Sequence, residues 1–282
     1  MNMKNIGIVG AGQMGSGIAQ VCAAAGLEVI LSDVSEGAWE RAQRTIGHNL
    51  ERRVQAGKMA TPDAAATMQR ISFSATLRAF SACDCVIEAA TENENVKEEI
   101  LTSLEAVIRP DAVLATNTSS VSITGLGAAL ARPCRFIGMH FFNPVPAMML
   151  VEVIRGMRTD DTTFASAVRL AESLGKHPVG VRNSPGFVVN RILIPMINEA
   201  VLVLQEGLSS AGDIDDAMKL GANHPIGPLA LADLIGLDTV LAIMNVLHKE
   251  SGDQKYRPAL LLREMVAAGV LGRKSGRGFH QY

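Results

Sequence analysis

The chain has only two tyrosines, Tyr256 and Tyr282, and neither is followed at four residues by lysine. The tyrosine–lysine pair of short-chain dehydrogenases is therefore excluded. No G-x-x-x-x-G-K-[ST], H-E-x-x-H or G-x-S-x-G stretch occurs, which excludes a P-loop, a zincin centre and a hydrolase nucleophile elbow. Cysteine is scarce: Cys22, Cys83, Cys85 and Cys134 sit in apolar runs without C-x-x-C spacing. They read as reduced core residues, with no disulfide framework and no metal site expected. Neither sign of charge dominates, with 26 Lys+Arg against 28 Asp+Glu and a formal net charge of -2. That balance invites neither nucleic acid nor an anionic membrane surface. Only Met1 to Asn5 precede the first apolar run, so no signal or transit peptide is expected and the protein reads as cytoplasmic. The most apolar segment, 187–204, approaches the length of a membrane span. Asn190, Arg191, Asn198 and Glu199 interrupt it and Pro195 lies inside it, so it reads as a buried helix.

What is present is apolar bulk and glycine. At 282 residues and 48% hydrophobic, the chain can bury a large core and has the length of about two domains. The run Ile6-Gly7-Ile8-Val9 leads into GAGQMG, Gly10-Ala11-Gly12-Gln13-Met14-Gly15, and then into a helical stretch to about Ala25. Strand, loop and helix in that order are the context a G-x-G-x-x-G match requires. Gly10 permits the tight turn, Gly12 lets the backbone approach a pyrophosphate, and Gly15 allows helix to pack on strand. The helix N-terminus offers free N–H groups to phosphate. A second apolar run ends at Asp33, roughly 20 residues on, where a carboxylate can hold a ribose 2′-hydroxyl and repel a 2′-phosphate. NAD is therefore expected over NADP.

Short apolar runs near 5–9, 28–32, 83–88, 112–116, 135–140, 149–154 and 178–181 alternate with amphipathic stretches. Such alternation argues a Rossmann-type, doubly wound, mostly parallel sheet covered on both faces. Residues 36–69 interrupt it with two helical stretches about an Ala-Gly-Lys-Met-Ala-Thr-Pro break, a helical hairpin insertion. The domain boundary is placed at 183/184: residues 1–183 form the dinucleotide-binding domain and 184–282 an all-α C-terminal domain. Ser184 is expected to cap, and Pro185 to start, its first long helix, which ends near Gly207.

With no tyrosine base, His140 in Gly138-Met139-His140-Phe141-Phe142-Asn143-Pro144 becomes the acid/base candidate. It closes an expected strand, at the edge where open α/β sheets present ligands, and imidazole suits proton transfer near neutral pH. Glu152 stands in the apolar run Met149–Ile154, where a buried carboxylate needs a partner; a histidine N–H would serve and would fix the tautomer. Ser119 follows a strand and Asn190 sits in a greasy helix. Each could bind a substrate oxygen, or could instead cap a helix or bond between helices.

Together with ATENENVKEEI (90–100), NTSSVSIT (117–124), NSPGFVVNRIL (183–193), GANHPIGPLALADLIGLD (221–238) and RKSGRGF (273–279), these motifs resemble the L-3-hydroxyacyl-CoA dehydrogenases over the whole chain. The resemblance implies that His140 is the base for the 3-hydroxyl, that Glu152 orients it, and that Ser119 and Asn190 bind the same oxygen. Hydride would pass to NAD, giving 3-oxoacyl-CoA. The resemblance also implies cofactor contacts from Asp33, Glu92, Lys97, Ser119, Asn143 and Lys274. The hairpin would receive the acyl-CoA, with Arg52, Arg53 and Lys58 available for its phosphates, and the helical domain would form a homodimer. His280 departs from a common aromatic, and Arg182-Asn183 from a more usual acidic approach to Ser-Pro-Gly-Phe; only local packing is touched. Two rivals are a β-hydroxyacid dehydrogenase acting on a free acid and a non-catalytic NAD-binding protein. The first uses a helical lysine where this chain has Asn190-Arg191, and the second would be free to lose His140, Glu152, Ser119 or Asn190.

Overall fold

The computed structural model describes residues 3–282. It divides into two compact units, Met1–Asn183 and Ser184–Tyr282. The first is built on an eight-stranded sheet: β1 (Asn5–Val9), β2 (Glu28–Ser32), β3 (Ile71–Phe73), β4 (Cys85–Glu88), β5 (Val113–Thr116), β6 (Phe136–Phe141), β7 (Leu150–Arg155) and β8 (His177–Arg182). Their order is β3-β2-β1-β4-β5-β6-β7-β8. All neighbours run parallel except β6 and β7. Only eight residues, 142–149, join those two strands, too few for the crossover a parallel pair needs.

The helices of this unit are α1 (Gln13–Ala24), α2 (Ala38–Gln55), α3 (Thr61–Gln69), α4 (Glu94–Val107), α5 (Ile123–Ala128) and α6 (Asp161–Ser173). Strands buried on both faces read as continuous apolar runs because helices cover each side. Ile6, Ile8, Val29, Leu31, Ile87, Met139 and Val153 pack with Ile18 and Cys22 of α1, Ile46 and Leu50 of α2, and Leu170 of α6. Helices α2 and α3 are the hairpin, and they pack on each other and on α1. Asn93, Ser122 and Asp160 cap α4, α5 and α6 through their side chains, which is why those helices begin where they do.

The second unit is helical: α7 (Val189–Gln205), α8 (Ala211–Gly221), α9 (Pro228–Ile235), α10 (Leu237–Ser251) and α11 (Leu260–Ala267). Ile194, Ile197, Val201, Leu229, Val240, Met244, Leu247 and Leu262 form its core. No single helix among the described residues is long and apolar enough to cross a membrane. Helices α9 and α10 meet at Gly236, with φ +100 and a bend of 98°.

Two expectations need correction. Helix α7 begins at Val189, not at Pro185, because Gly186 and Phe187 adopt φ +71 and +52, left-handed values that interrupt a helix. Ser184 instead closes a turn, its carbonyl accepting the N–H of Phe187 at 3.0 Å. Of the four cysteines, Cys22, Cys83 and Cys85 are buried but Cys134 is exposed, since Pro133–Arg135 form a short 3-10 turn at the surface. Burial pushes the Cys22 thiol up to about 12 and the Cys83 thiol to about 11, so both stay protonated and inert.

Candidate active site

The strand order reverses between β1 and β4, and in open α/β sheets that switch point opens a crevice beyond the C-terminal strand ends. The glycine loop Gly10–Gly15 lies there. Gly10 takes φ +100, and a Cβ on it would crowd the Ala89 carbonyl at 2.5 Å. A Cβ on Gly15 would overlap the Gly10 carbonyl oxygen, so close approach of α1 to the loop demands glycine. At Gly12 an added Cβ would meet nothing within 4 Å. Helix α1 has no capping side chain and no acidic residue in its first turn, which leaves its first N–H groups suited to an anion. Ala11 is buried, Met14 half-buried, and Gly12 and Gln13 exposed along this loop.

Asp33 follows β2 and braces the same loop: its Oδ2 accepts the Ala11 N–H at 2.7 Å and its Oδ1 the Ser35 N–H at 2.7 Å. Burial alone would raise its carboxyl; the two N–H groups outweigh burial and hold it below the usual carboxylate range. A permanent anion therefore stands beside the loop. These residues fit a dinucleotide whose pyrophosphate meets α1 and whose ribose meets Asp33.

Further along the same edge, β5 and β6 carry the polar groups. Glu92, after β4, accepts from the Thr118 hydroxyl at 2.6 Å, the Ser119 N–H at 2.8 Å and the Ser119 hydroxyl at 3.0 Å. Beneath it Lys97 is fully buried, with its ammonium 2.7 Å from Glu88, 3.3 Å from the Thr116 hydroxyl and 4.0 Å from Glu92. Lys97 therefore meets Glu92 from inside the fold, its charge already matched by Glu88. One signal for that pairing was visible: Lys97 shares a helical stripe with Leu101 and Leu104, where a cation needs a buried partner. The role of Glu92 toward Ser119 carries no local signal, because 27 residues separate them.

His140 and Glu152 are direct neighbours across the β6–β7 pair, and side chains so placed share a face. His140 Nδ1 lies 2.8 Å from Glu152 Oε2, with both side chains buried. A carboxylate only accepts, so in this contact Nδ1 is the donor. Phe142 packs against the imidazole in a tilted arrangement, with 4.3 Å between ring centres and 45° between planes. Asn143, three residues after His140, is exposed and joined to Pro144 by a cis bond.

The remaining candidates are carried by α2, the turn after it and the helical unit. Arg52 and Arg53 end α2 and Lys58 follows in the turn, and among the described residues no carboxylate forms an ion pair with any of the three. Asn190 is buried in the first turn of α7. Lys274, in the helical unit, is half-exposed and ion-paired with Asp238.

A dinucleotide crevice with a tautomer-locked histidine at its edge defines a dehydrogenase that moves a proton and a hydride. Residues 5–184 match the 3-hydroxyacyl-CoA dehydrogenase NAD binding domain, and residues 186–282 the 3-hydroxyacyl-CoA dehydrogenase C-terminal domain. The chain belongs to the 3-hydroxyacyl-CoA dehydrogenase family and is an NAD-dependent oxidoreductase. It is 52% identical over 281 residues to the 3-hydroxybutyryl-CoA dehydrogenase of Bradyrhizobium diazoefficiens, covering 99% of this chain and 96% of that one. It is 51% identical over 276 residues to a probable 3-hydroxybutyryl-CoA dehydrogenase of Deinococcus radiodurans, covering 98% and 99%. Among solved structures, that of (S)-3-hydroxybutyryl-CoA dehydrogenase from Ralstonia eutropha superposes with a TM-score of 0.97 at 56% identity, covering 100% and 99%.

Proposed function

We propose that the protein oxidises (S)-3-hydroxybutyryl-CoA, reversibly, with His140 as general base. The observation that carries this reading is the buried 2.8 Å contact between His140 Nδ1 and Glu152, which reserves Nε2 for the substrate hydroxyl. Glu152 stabilises the imidazolium that forms as the proton arrives. Ser119 and Asn190 each offer a hydrogen bond to the same oxygen as it becomes a carbonyl. NAD, when bound, accepts the hydride that leaves C3. Gly10–Gly15 with the α1 N-terminus would hold its pyrophosphate and Asp33 its ribose. Glu92, Ser119, Asn143 and Lys274 would hold the remainder, with Lys97 acting through Glu92.

The acyl-CoA phosphates are assigned to Arg52, Arg53 and Lys58, whose lack of acidic partners leaves their charge available. Ile192, Leu208, Leu220 and Leu260 expose apolar surface on the helical unit, which supports its assignment as a homodimer face. We place the enzyme in the cytoplasm as a further part of this proposal.

The deciding assay follows NADH absorbance with acetoacetyl-CoA beside free acetoacetate, and repeats both with NADPH. Rapid oxidation of NADH by the thioester alone is expected. Turnover of free acetoacetate at a comparable rate would replace this reading with a free-acid dehydrogenase.

A further inference from the structure

The loop 142–149 between β6 and β7 carries Asn143, and two contacts unused by the reaction fix it. On one side Val145 is buried against α1: a Cβ on Gly17 would come within 2.9 Å of the Val145 Cβ, so the loop touches the helix backbone that begins at the phosphate-binding turn. On the other side Lys176, which precedes β8, points its ammonium into the loop and donates to the carbonyls of Val145 at 2.6 Å and Met148 at 2.8 Å. The loop's own turn satisfies only the Pro144 carbonyl, which accepts from Ala147 and Met148. The Lys176 side chain therefore supplies donors to carbonyls that the turn leaves over.

Lys176 is buried, and no carboxylate among the described residues pairs with it. Its ammonium is met by two peptide carbonyls, and holding a charge at a buried position is costly in a way that an apolar side chain of the same length would avoid. Burial pushes its ammonium below the usual lysine value, and nearby Arg53 pushes in the same direction. A group kept under those penalties has its worth in what it holds. Between Gly17 and Lys176, the loop has no freedom to drift from α1.

We infer that Lys176 is a positioning residue for cofactor binding, a clamp that sets the distance between the glycine loop and Asn143 and so matches the site to the span of NAD from pyrophosphate to nicotinamide ribose. It acts on the cofactor through the loop it holds. The inference rests on Asn143 holding the nicotinamide half, as proposed above. The adenine half, held by Asp33 and the first turn of α1, lies outside the clamp.

The test is a double-mutant cycle on the full enzyme, with Lys176→Met, Asn143→Ala and the pair together, titrated separately with NADH and with ADP. Lys176→Met is expected to weaken NADH about tenfold while leaving ADP within twofold of wild type, and the double variant is expected to bind NADH no worse than Asn143→Ala alone. Lys176→Arg, which keeps charge and donors, should recover at least half of the loss. Unchanged ADP binding certifies the fold and the adenine site in every variant. Undiminished NADH binding by Lys176→Met, an equal loss for ADP and NADH, or strict additivity would each overturn the clamp. If Asn143→Ala itself binds NADH normally, the assignment of Asn143 fails instead, and the clamp with it.

Discussion

Replacing Glu152 by glutamine removes one charge beneath His140 and little else. The amide keeps the carboxylate's shape, and its oxygen can still accept the Nδ1 proton, so imidazole orientation survives while the stabilisation of imidazolium does not. The contact is 2.8 Å between heavy atoms and both side chains are buried. Taking the charge centres about 4 Å apart at an effective dielectric near 20, the attraction is about 4 kcal/mol. A transition state in which the proton is half transferred realises about half of it, so the loss lies at about 2–4 kcal/mol. At 1.36 kcal/mol per decade, kcat should fall by roughly 30- to 1,000-fold. The assay is NADH formation at saturating (S)-3-hydroxybutyryl-CoA and NAD, the direction in which His140 gains the proton, with NADH affinity measured separately by fluorescence. Affinity should be unchanged, since Glu152 lies under the base and away from the glycine loop. A kcat within threefold of wild type would refute the electrostatic role assigned to Glu152.

Other expectations follow from the same geometry. His140→Ala should lower turnover by a factor on the order of 10²–10⁴ with NADH binding nearly intact; undiminished turnover would move the base elsewhere. Asp33→Ala should erode the preference for NADH over NADPH, and an unaltered ratio of kcat/KM for the two cofactors would remove Asp33 from the ribose site. Gly12→Ala should fold normally yet bind NADH more weakly, because its Cβ enters open space before α1, whereas Gly15→Ala should lower Tm because its Cβ meets the Gly10 carbonyl; equal thermal stability of the two would contradict this. Asp84 accepts from the N–H groups of Lys4 and Asn5 and from Arg109; burial raises its carboxyl, and these donors more than reverse that. Its folded value thus lies below its unfolded one, so its contribution is present above about pH 4 and lost as pH falls further. The Tm deficit of Asp84→Asn should therefore shrink from pH 7 toward pH 3, and a constant deficit would contradict the assignment.

The sheet was legible because its strands are apolar on both faces, and the hairpin because a turn sequence separates two helical periods. The start of α7 was not. Ser-Pro is a proper opening for a helix, and only the left-handed backbone of Gly186 and Phe187 defers it, a constraint set by packing rather than by local preference. The direction of β7 could have been read from the eight residues before it, since a connection that short cannot cross a sheet. At the site, glycine spacing and the odd carboxylate in an apolar strand marked the loop, Asp33 and the His140–Glu152 neighbourhood. Glu88 and Lys176, and the contacts of Glu92 with Thr118 and Ser119, escaped notice because each acts on residues 9 to 31 positions away, and no periodicity encodes such a contact.

The pairing of His140 with Glu152 also bears on how the sheet chooses its alignment. Along β7, Val151, Val153 and Ile154 are buried, so hydrophobicity alone barely distinguishes one alignment from the next. A slip by one residue would set a valine opposite His140 and turn the carboxylate to the other face, leaving it buried without its partner. An unmatched buried charge costs about 3–5 kcal/mol, a large part of the stability of a typical domain. The carboxylate that serves the base thus also rejects the misaligned sheet, and its replacement by an apolar residue would remove a safeguard of folding along with a step of chemistry.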